Sequence, residues 1–130
     1  MVECNCKIDM KLAIIGSRTC PPVDIMLYLK HLPTAIISGG ARGADTYARD
    51  FAKIHGIELI EFLPQYDKFP SKVAPLMRNK LIVENCDCLL AFWDGVSRGT
   101  KYTLDYANQL HKPIKIVNYK TNEITLINHK

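Results

Sequence analysis

The chain has 130 residues, of which 48% are apolar and 23% charged, with a formal net charge of +4 at pH 7. These values are typical of one globular domain, and we expect a single domain over 1–130 with its core at about 11–118. No apolar run is long enough to cross a bilayer, and the N-terminus lacks the apolar stretch of a signal peptide, so a cytoplasmic protein with no membrane partner is expected. The small positive charge does not predict a nucleic-acid surface, so nucleic acid is not expected as a partner.

The five cysteines are predicted to be reduced thiols, because their number is odd and the chain can build a core without disulfide bonds. They are Cys4, Cys6, Cys20, Cys86 and Cys88. The two Cys-x-Cys pairs make a four-thiolate zinc site an alternative, but structural zinc sites favour two to four intervening residues. We therefore predict no metal and no cofactor, and expect Cys86 and Cys88 to pack along one side of a strand start.

Apolar strand-like runs alternate with helical patterns along the chain, which is typical of βαβ units and a parallel sheet. In the first half the predicted elements are a strand at 12–15, a helix opened by two prolines at about 23–31, a strand at 35–38, a helix to about 55 and a strand at 57–62. A loop at 63–71, rich in proline and aromatic residues, is a candidate ligand wall or lid.

The second half continues the same alternation. Its predicted elements are a helix at about 73–85, a strand at 88–93, a helix reaching about 112 with Leu104, Ala107 and Leu110 buried, a strand at 114–117 and a short edge strand at 123–128. Helices on both faces of near-continuous apolar strands predict a three-layer, Rossmann-like α/β sandwich with a mainly parallel sheet of about five strands. Ligands in such folds bind at the carboxyl ends of the strands, where the strand order reverses.

A glycine-rich turn between the second strand and the next helix carries the strongest functional signal. Glycine permits positive φ and a close approach of phosphate, and the first helical turn offers free N–H groups to an anion. The alternative is a tight turn that needs glycine for steric reasons only. The candidate residues in this turn are Ser38, Gly39, Gly40, Arg42, Gly43 and Asp45.

Two further turns also follow strands, so all three are expected to converge at one edge of the sheet. Arg18 would pair with a phosphate or remain solvated, and the hydroxyls of Ser97 and Thr100 would bind phosphate oxygens or cap a helix. The candidate residues in these turns are Gly16, Ser17, Arg18, Trp93, Asp94, Gly95, Ser97, Gly99 and Thr100.

Arg78 and Asn79 lie inside an otherwise apolar helix. A charged group near a core needs a partner, which would be a ligand phosphate or the carboxylate of Asp87 or Glu84. The side chains of Trp93, Tyr66 and Phe69 could stack on a base, although packing is their commoner role.

Together these motifs resemble the SLOG superfamily, specifically its YspA/YpsA-related branch. The matching segments are Gly-Ser-Arg at 16–18, Ser-Gly-Gly-Ala-Arg-Gly-Ala-Asp at 38–45, Met-Arg-Asn at 77–79, and 86–95 followed by Ser-Arg-Gly-Thr at 97–100. The match covers about 11–118. The resemblance implies a Rossmannoid fold that binds nucleotides or nucleotide-derived signals, and the 38–45 segment also resembles the DNA-processing DprA proteins.

The LOG-type phosphoribohydrolases are enzymatic relatives in this superfamily, and they carry Pro-Gly-Gly-x-Gly-Thr-x-x-Glu after an arginine. Arg78, Gly99 and Thr100 match that pattern, whereas its glutamate position falls on Thr103. Threonine cannot serve as a carboxylate base, and Asp105 points elsewhere around the helix. This leaves Arg78 as the best catalytic candidate if the protein is an enzyme.

Three functions follow from these residues and the resemblance. The first is binding or sensing of a nucleotide or nucleotide-derived phosphorylated ligand, without turnover. The second is N-glycosidic hydrolysis of a nucleoside 5′-monophosphate, which would need another carboxylate such as Asp45, Asp94 or Glu84. The third is a DprA-like role on single-stranded DNA. A homodimer is also expected, by analogy with related proteins.

Overall fold

The computed structural model describes residues 10–40 and 43–127. Within these ranges, six strands form one sheet in the order β3-β2-β1-β4-β5-β6. The strands are β1 Lys11–Gly16, β2 Ala35–Ser38, β3 Glu58–Glu61, β4 Cys88–Trp93, β5 Ile114–Asn118 and β6 Glu123–Ile127. The α-helices of the described ranges are α1 Ala44–His55, α2 Ala74–Asn85 and α3 Arg98–Gln109.

The order of the strands reverses between β1 and β4. From β1 the chain adds β2 and β3 on one side, and α2 then carries it back so that β4 pairs with the other side of β1. Strands β1 to β5 are parallel, and β6 closes the sheet as an antiparallel edge strand. Gly16 lies opposite Phe92 at the carboxyl ends of β1 and β4, so the loops after these two strands emerge side by side.

Helices cover both faces of the sheet, which confirms the predicted three-layer, Rossmann-like α/β fold. In β1, Leu12 and Ile14 belong to the core beneath α1, whereas Ala13 and Ile15 belong to the core beneath α2 and α3. This alternation explains why β1 reads as a continuous apolar run, since each successive side chain enters a different core.

The helix predicted at 23–31 is wrong. Only a 3-10 turn forms there, from Ile25 to Tyr28, and Leu29 is already extended. The side chain of Asp24 accepts a hydrogen bond from the Met26 amide at 3.2 Å, which stabilises a tight turn. Of this turn only Ile25 is buried, so no continuous apolar face holds a longer helix against the sheet.

The last helix also ends earlier than predicted, at Gln109 rather than near Lys112. His111 adopts a left-handed φ of 60°, and the Lys112 amide donates to the Ala107 carbonyl at 3.0 Å, which closes the helix. Leu110 is 40% exposed, so its predicted burial beside Leu104 and Ala107 is wrong.

The cysteines at the start of β4 do not share one side of the strand. Cys86 packs in the core beneath α2 and α3, whereas Cys88 packs against the core on the opposite face. Cys4 and Cys6 lie outside the described residues. None of the helices in the described part of the chain is long and apolar enough to span a membrane.

Candidate functional site

A cavity of about 450 Å³ opens at the carboxyl ends of β1 and β4, where the strand order reverses. Its wall is built by the loops after these two strands, the start of α1, one face of α2 and the first turns of α3. The structure thereby brings together a large part of the predicted set. The predicted residues on the wall are Gly16, Ser17, Arg18, Asp45, Arg78, Asn79, Asp94, Ser97, Gly99 and Thr100.

Two arginines give the cavity positive charge. Arg78 is only 7% exposed and donates hydrogen bonds to the Gly39 carbonyl at 2.5 Å and to Asn79 Oδ1 at 2.8 Å. Burial lowers the pKa of Arg78, and the nearby carboxylate of Asp45 opposes that effect. Arg18 is exposed and also lines the cavity. The two hydrogen bonds use two of the five guanidinium N–H groups of Arg78, so the rigid fork is fixed in place.

Neither carboxylate suggested as a partner for Arg78 contacts it. Asp87 Oδ2 accepts a hydrogen bond from the Lys11 amide at 2.8 Å, and Glu84 accepts one from the hydroxyl of Tyr106. Asp45 is instead the acidic neighbour of Arg78.

A chain of hydrogen bonds joins the loops after β1 and β4. The hydroxyls of Ser17 and Ser97 lie 3.1 Å apart, and Ser97 Oγ donates to Asp94 Oδ2 at 2.8 Å. Asp94 Oδ1 accepts from the amides of Val96 at 2.9 Å and Ser97 at 2.7 Å. Burial opposes ionisation of Asp94, but these hydrogen bonds outweigh it and lower the pKa of the carboxyl. We name the Ser17–Ser97–Asp94 chain the hydroxyl relay.

The first turn of α3 faces the cavity through Gly99 and Thr100. Ser97 is the N-cap, as predicted for a capping residue, but its side chain makes no capping hydrogen bond because it is bound to Asp94. Thr103, which the resemblance aligned with the LOG glutamate, is 1% exposed and donates to the Gly99 carbonyl at 3.0 Å.

Two glycines of the glycine-rich turn pack closely against other parts of the chain. Gly43, with φ of 74°, lies against the carbonyls of Ser17 and Arg18, and a side chain on Gly39 would clash with the guanidinium of Arg78. Arg42 lies outside the described residues. The predicted residues that the structure keeps off the cavity wall are Ser38, Gly39, Gly40, Gly43, Trp93 and Gly95.

The aromatic residues do not cover the cavity. Trp93 Nε1 donates to the Ser97 carbonyl at 3.1 Å and so fixes the turn before α3. Phe69 lines a separate cavity of about 320 Å³, which Arg78 also lines, and Tyr66 is 57% exposed. The lid predicted at 63–71 is therefore not part of this wall.

Sequence reasoning missed six residues of the cavity wall, which lie in β1, in the loop after it, in α2 and in α3. The missed wall residues are Ile15, Thr19, Pro75, Leu76, Ile82 and Thr103, the last of which was treated only as a lost catalytic position. A signal was present for two of them, since Pro75, Arg78 and Ile82 recur at the spacing of one helix face.

The sequence matched no protein-family model and no curated protein. Among solved structures, the chain is similar to DNA processing protein A (DprA) from Streptococcus pneumoniae, with a TM-score of 0.67 and 20% identity. The likeness covers 83% of this chain and 50% of that one, so the chain spans about half the length of DprA. The protein has a Rossmann-like α/β fold, and that fold is shared with DprA.

Proposed function

We propose that the protein binds a nucleotide or nucleotide-derived phosphorylated ligand in the cavity between β1 and β4. The observation that carries this proposal is the meeting of a buried arginine, Arg78, with the first turn of α3 on one cavity wall. The negative end of the ligand would bind there, and Arg18 would add a second positive charge.

Free amides at the start of α3 favour the binding of an anion there. Lys101 is the first residue of the helix whose amide bonds back to the Ser97 carbonyl, at 3.1 Å. The amides of 98–100 precede it and have no intrahelical acceptor, and the helix dipole adds positive potential at the same end. An anion therefore gains both hydrogen bonds and charge at this wall.

The size and position of the cavity agree with this proposal. About 450 Å³ lies within the range of roughly 300–1,000 Å³ that small-molecule sites occupy. A crevice at the point of strand reversal is also the usual ligand position in open α/β sheets.

Binding without hydrolysis is favoured by the state of the polar groups. Thr103 supplies no carboxylate, and its hydroxyl is bound to Gly99. The carboxylate of Asp94 is occupied by the loop that precedes α3. An N-glycosidic hydrolase would have to use Asp45 as its carboxylate, and release of free base from nucleoside 5′-monophosphates would reveal it.

The fold shared with DprA agrees with the Rossmannoid fold that the resemblance to the SLOG superfamily implies. Assignment to the YspA/YpsA-related branch, a cytoplasmic location and a homodimer remain predictions from the sequence.

A thermal-unfolding experiment tests the proposed function. Candidate ligands are adenosine 5′-monophosphate, ADP-ribose and cyclic nucleotides, with adenosine as the control that lacks phosphate. A ligand at about 100 times its Kd stabilises the protein by about 2.7 kcal/mol, whereas adenosine should have little effect. If no phosphate-bearing ligand raises the unfolding temperature, the proposal is wrong.

Nucleic acid is a second candidate. The similar structure is that of a DNA processing protein, and Arg18 and Arg98 are exposed beside the cavity, which weakens the initial expectation that nucleic acid is no partner. Binding to phosphate backbones loses affinity steeply as salt rises. A single-stranded oligonucleotide that binds with such a salt dependence, and that competes with mononucleotides, would favour this function.

A further inference from the structure

We infer that Ser17 accepts a hydrogen bond from the ligand, so that the cavity selects a phosphorylated ligand which also carries a sugar hydroxyl. The inference rests on the proposed function and assigns the phosphate and the sugar to different parts of the wall. It follows from the direction of the hydrogen bonds in the hydroxyl relay.

The direction is set by the number of protons in the relay. Ser97 has one hydroxyl proton, and the carboxylate of Asp94 can only accept, so that proton lies between Ser97 Oγ and Asp94 Oδ2 at 2.8 Å. The 3.1 Å contact between Ser17 and Ser97 must then use the proton of Ser17. Ser17 Oγ is left with acceptor capacity and no proton for a ligand.

Asp94 holds this direction because it remains a carboxylate. It accepts from the amides of Val96 and Ser97 in addition to the Ser97 hydroxyl. A protonated carboxyl would lose part of these interactions, so the folded loop favours the charged form. Asp94 thereby orients the relay and acts as a positioning residue for Ser17.

Ser17 is held in place by its backbone. Its amide donates to the Phe92 carbonyl at 3.0 Å, and its own carbonyl accepts from the Cys20 amide at 3.1 Å. The residue is 4% exposed and lines the cavity. The side chain therefore presents a fixed acceptor to whatever fills the adjacent space.

A fixed acceptor excludes a phosphate oxygen and favours a hydroxyl. A phosphate dianion has only acceptor oxygens, and two acceptors in contact repel each other. Phosphate is therefore directed to the amides of α3 and the guanidinium of Arg78, which are donors only. A sugar hydroxyl can donate to Ser17, which defines a sugar phosphate as the minimal ligand.

Two phosphate monoesters of equal charge test the inference in the full chain. Ribose 5-phosphate carries hydroxyls, whereas methyl phosphate carries none. Isothermal titration should give tighter binding of ribose 5-phosphate to the unaltered protein. Ser17→Ala should lower the affinity for ribose 5-phosphate by about 3- to 10-fold, the effect of one hydrogen bond, and leave that for methyl phosphate unchanged.

Asp94→Asn supplies a second variant, which changes the direction of the relay and leaves the Ser17 side chain in place. The asparagine amide can donate to Ser97, which would turn the relay around and direct the Ser17 proton into the cavity. The preference for ribose 5-phosphate should then fall as it does in Ser17→Ala, while methyl phosphate binds equally well or more tightly.

The outcomes separate this inference from the proposed function. If Ser17→Ala weakens both monoesters equally, Ser17 donates to phosphate and the inference is overturned while the proposed function stands. An Asp94→Asn variant that folds and keeps the full preference also overturns it. If neither monoester binds the unaltered protein, both the proposed site and the inference are wrong.

Discussion

A methyl group on Gly43 would lie 2.5 Å from the carbonyl oxygen of Ser17 and 2.7 Å from that of Arg18. The glycine-rich turn therefore packs directly behind the loop that follows β1, and the Ser17 side of the cavity depends on that contact. The sequence left phosphate binding and a steric need for glycine open at this turn, and the close approach to two carbonyls gives Gly43 a steric reason to be glycine.

Gly43→Ala should destabilise the protein by more than the roughly 1–2 kcal/mol that alanine costs in the left-handed region, because the φ of 74° and ψ of −126° at Gly43 lie outside that region and the methyl group also meets two carbonyls. Gly56→Ala gives the cost of the left-handed region alone, with φ of 64°, ψ of 33° and nothing within 4 Å of the added carbon. Urea unfolding measures both. Equal destabilisation by the two substitutions would contradict the packing role.

Gly99→Ala should separate stability from binding. The position is exposed and nothing lies within 4 Å of an added methyl group, and alanine is favoured over glycine in a helix by about 0.5–1 kcal/mol. The methyl group would nevertheless obstruct an anion at the first turn of α3, and affinity for phosphate monoesters should fall about tenfold. A variant that unfolds at higher urea and binds as before would argue against phosphate at this helix.

Arg18→Ala should weaken binding of a phosphate monoester about tenfold and change the free energy of unfolding by no more than about 0.5 kcal/mol, because Arg18 is exposed. Arg78→Ala should weaken binding too, and in addition lower the free energy of unfolding by about 1–3 kcal/mol, because it leaves the buried Gly39 carbonyl without its donor. Arg49→Ala is the control, as this arginine pairs with Glu61 outside the cavity wall. Loss of affinity in that control would mean that the effect is one of net charge.

The lowered pKa of Asp94 predicts a contribution to stability that depends on pH. A depressed pKa in the folded state stabilises the protein above the ordinary value of 3.8, and this stabilisation is lost as pH falls through the folded value. The difference in urea midpoint between the unaltered protein and Asp94→Asn should therefore be present at neutral pH and shrink below about pH 4. A difference that stays constant with pH would rule out the charge of Asp94 as its source.

Two core cysteines should resist alkylation in the folded protein. Burial raises the pKa of Cys20 to about 11 and that of Cys86 to about 12, so neither forms the reactive thiolate at neutral pH. Peptide mapping after iodoacetamide treatment should find both unmodified in buffer and modified in urea. Rapid labelling of either thiol in buffer would mean that its surroundings open readily.

The sheet was predictable because its strands are short apolar runs bounded by glycine, proline or polar residues. β2 and β4 were predicted with the bounds that the structure has, and the edge strand β6 was predicted within one residue. The 3-10 turn at Ile25 was not predicted, because it depends on a local hydrogen bond from the Met26 amide to the Asp24 side chain, and no periodic pattern indicates such a bond. The end of α3 was missed because His111 takes the left-handed conformation without being glycine.

The candidate site was predictable only in part. Residues that follow strands could be located, so Ser17 and Ser97 were found. The sequence does not reveal which glycines of these turns line the cavity and which pack against other loops. The apolar residues of α2 were missed because their contribution depends on how α2 packs across β1 and β2, and Thr103 was missed because its contribution depends on how α3 packs beside α2. That packing is set by tertiary contacts and has no local motif.

The pairing of β1 with β4 links the cavity to the folding of the whole chain. The Ser17–Ser97 contact joins residues 80 positions apart, and α1 and α2 both lie between them in the sequence. No fragment that lacks either strand can assemble the wall. A bound ligand should consequently slow hydrogen exchange at amides throughout the central strands, including those far from the cavity, because their exposure requires global opening.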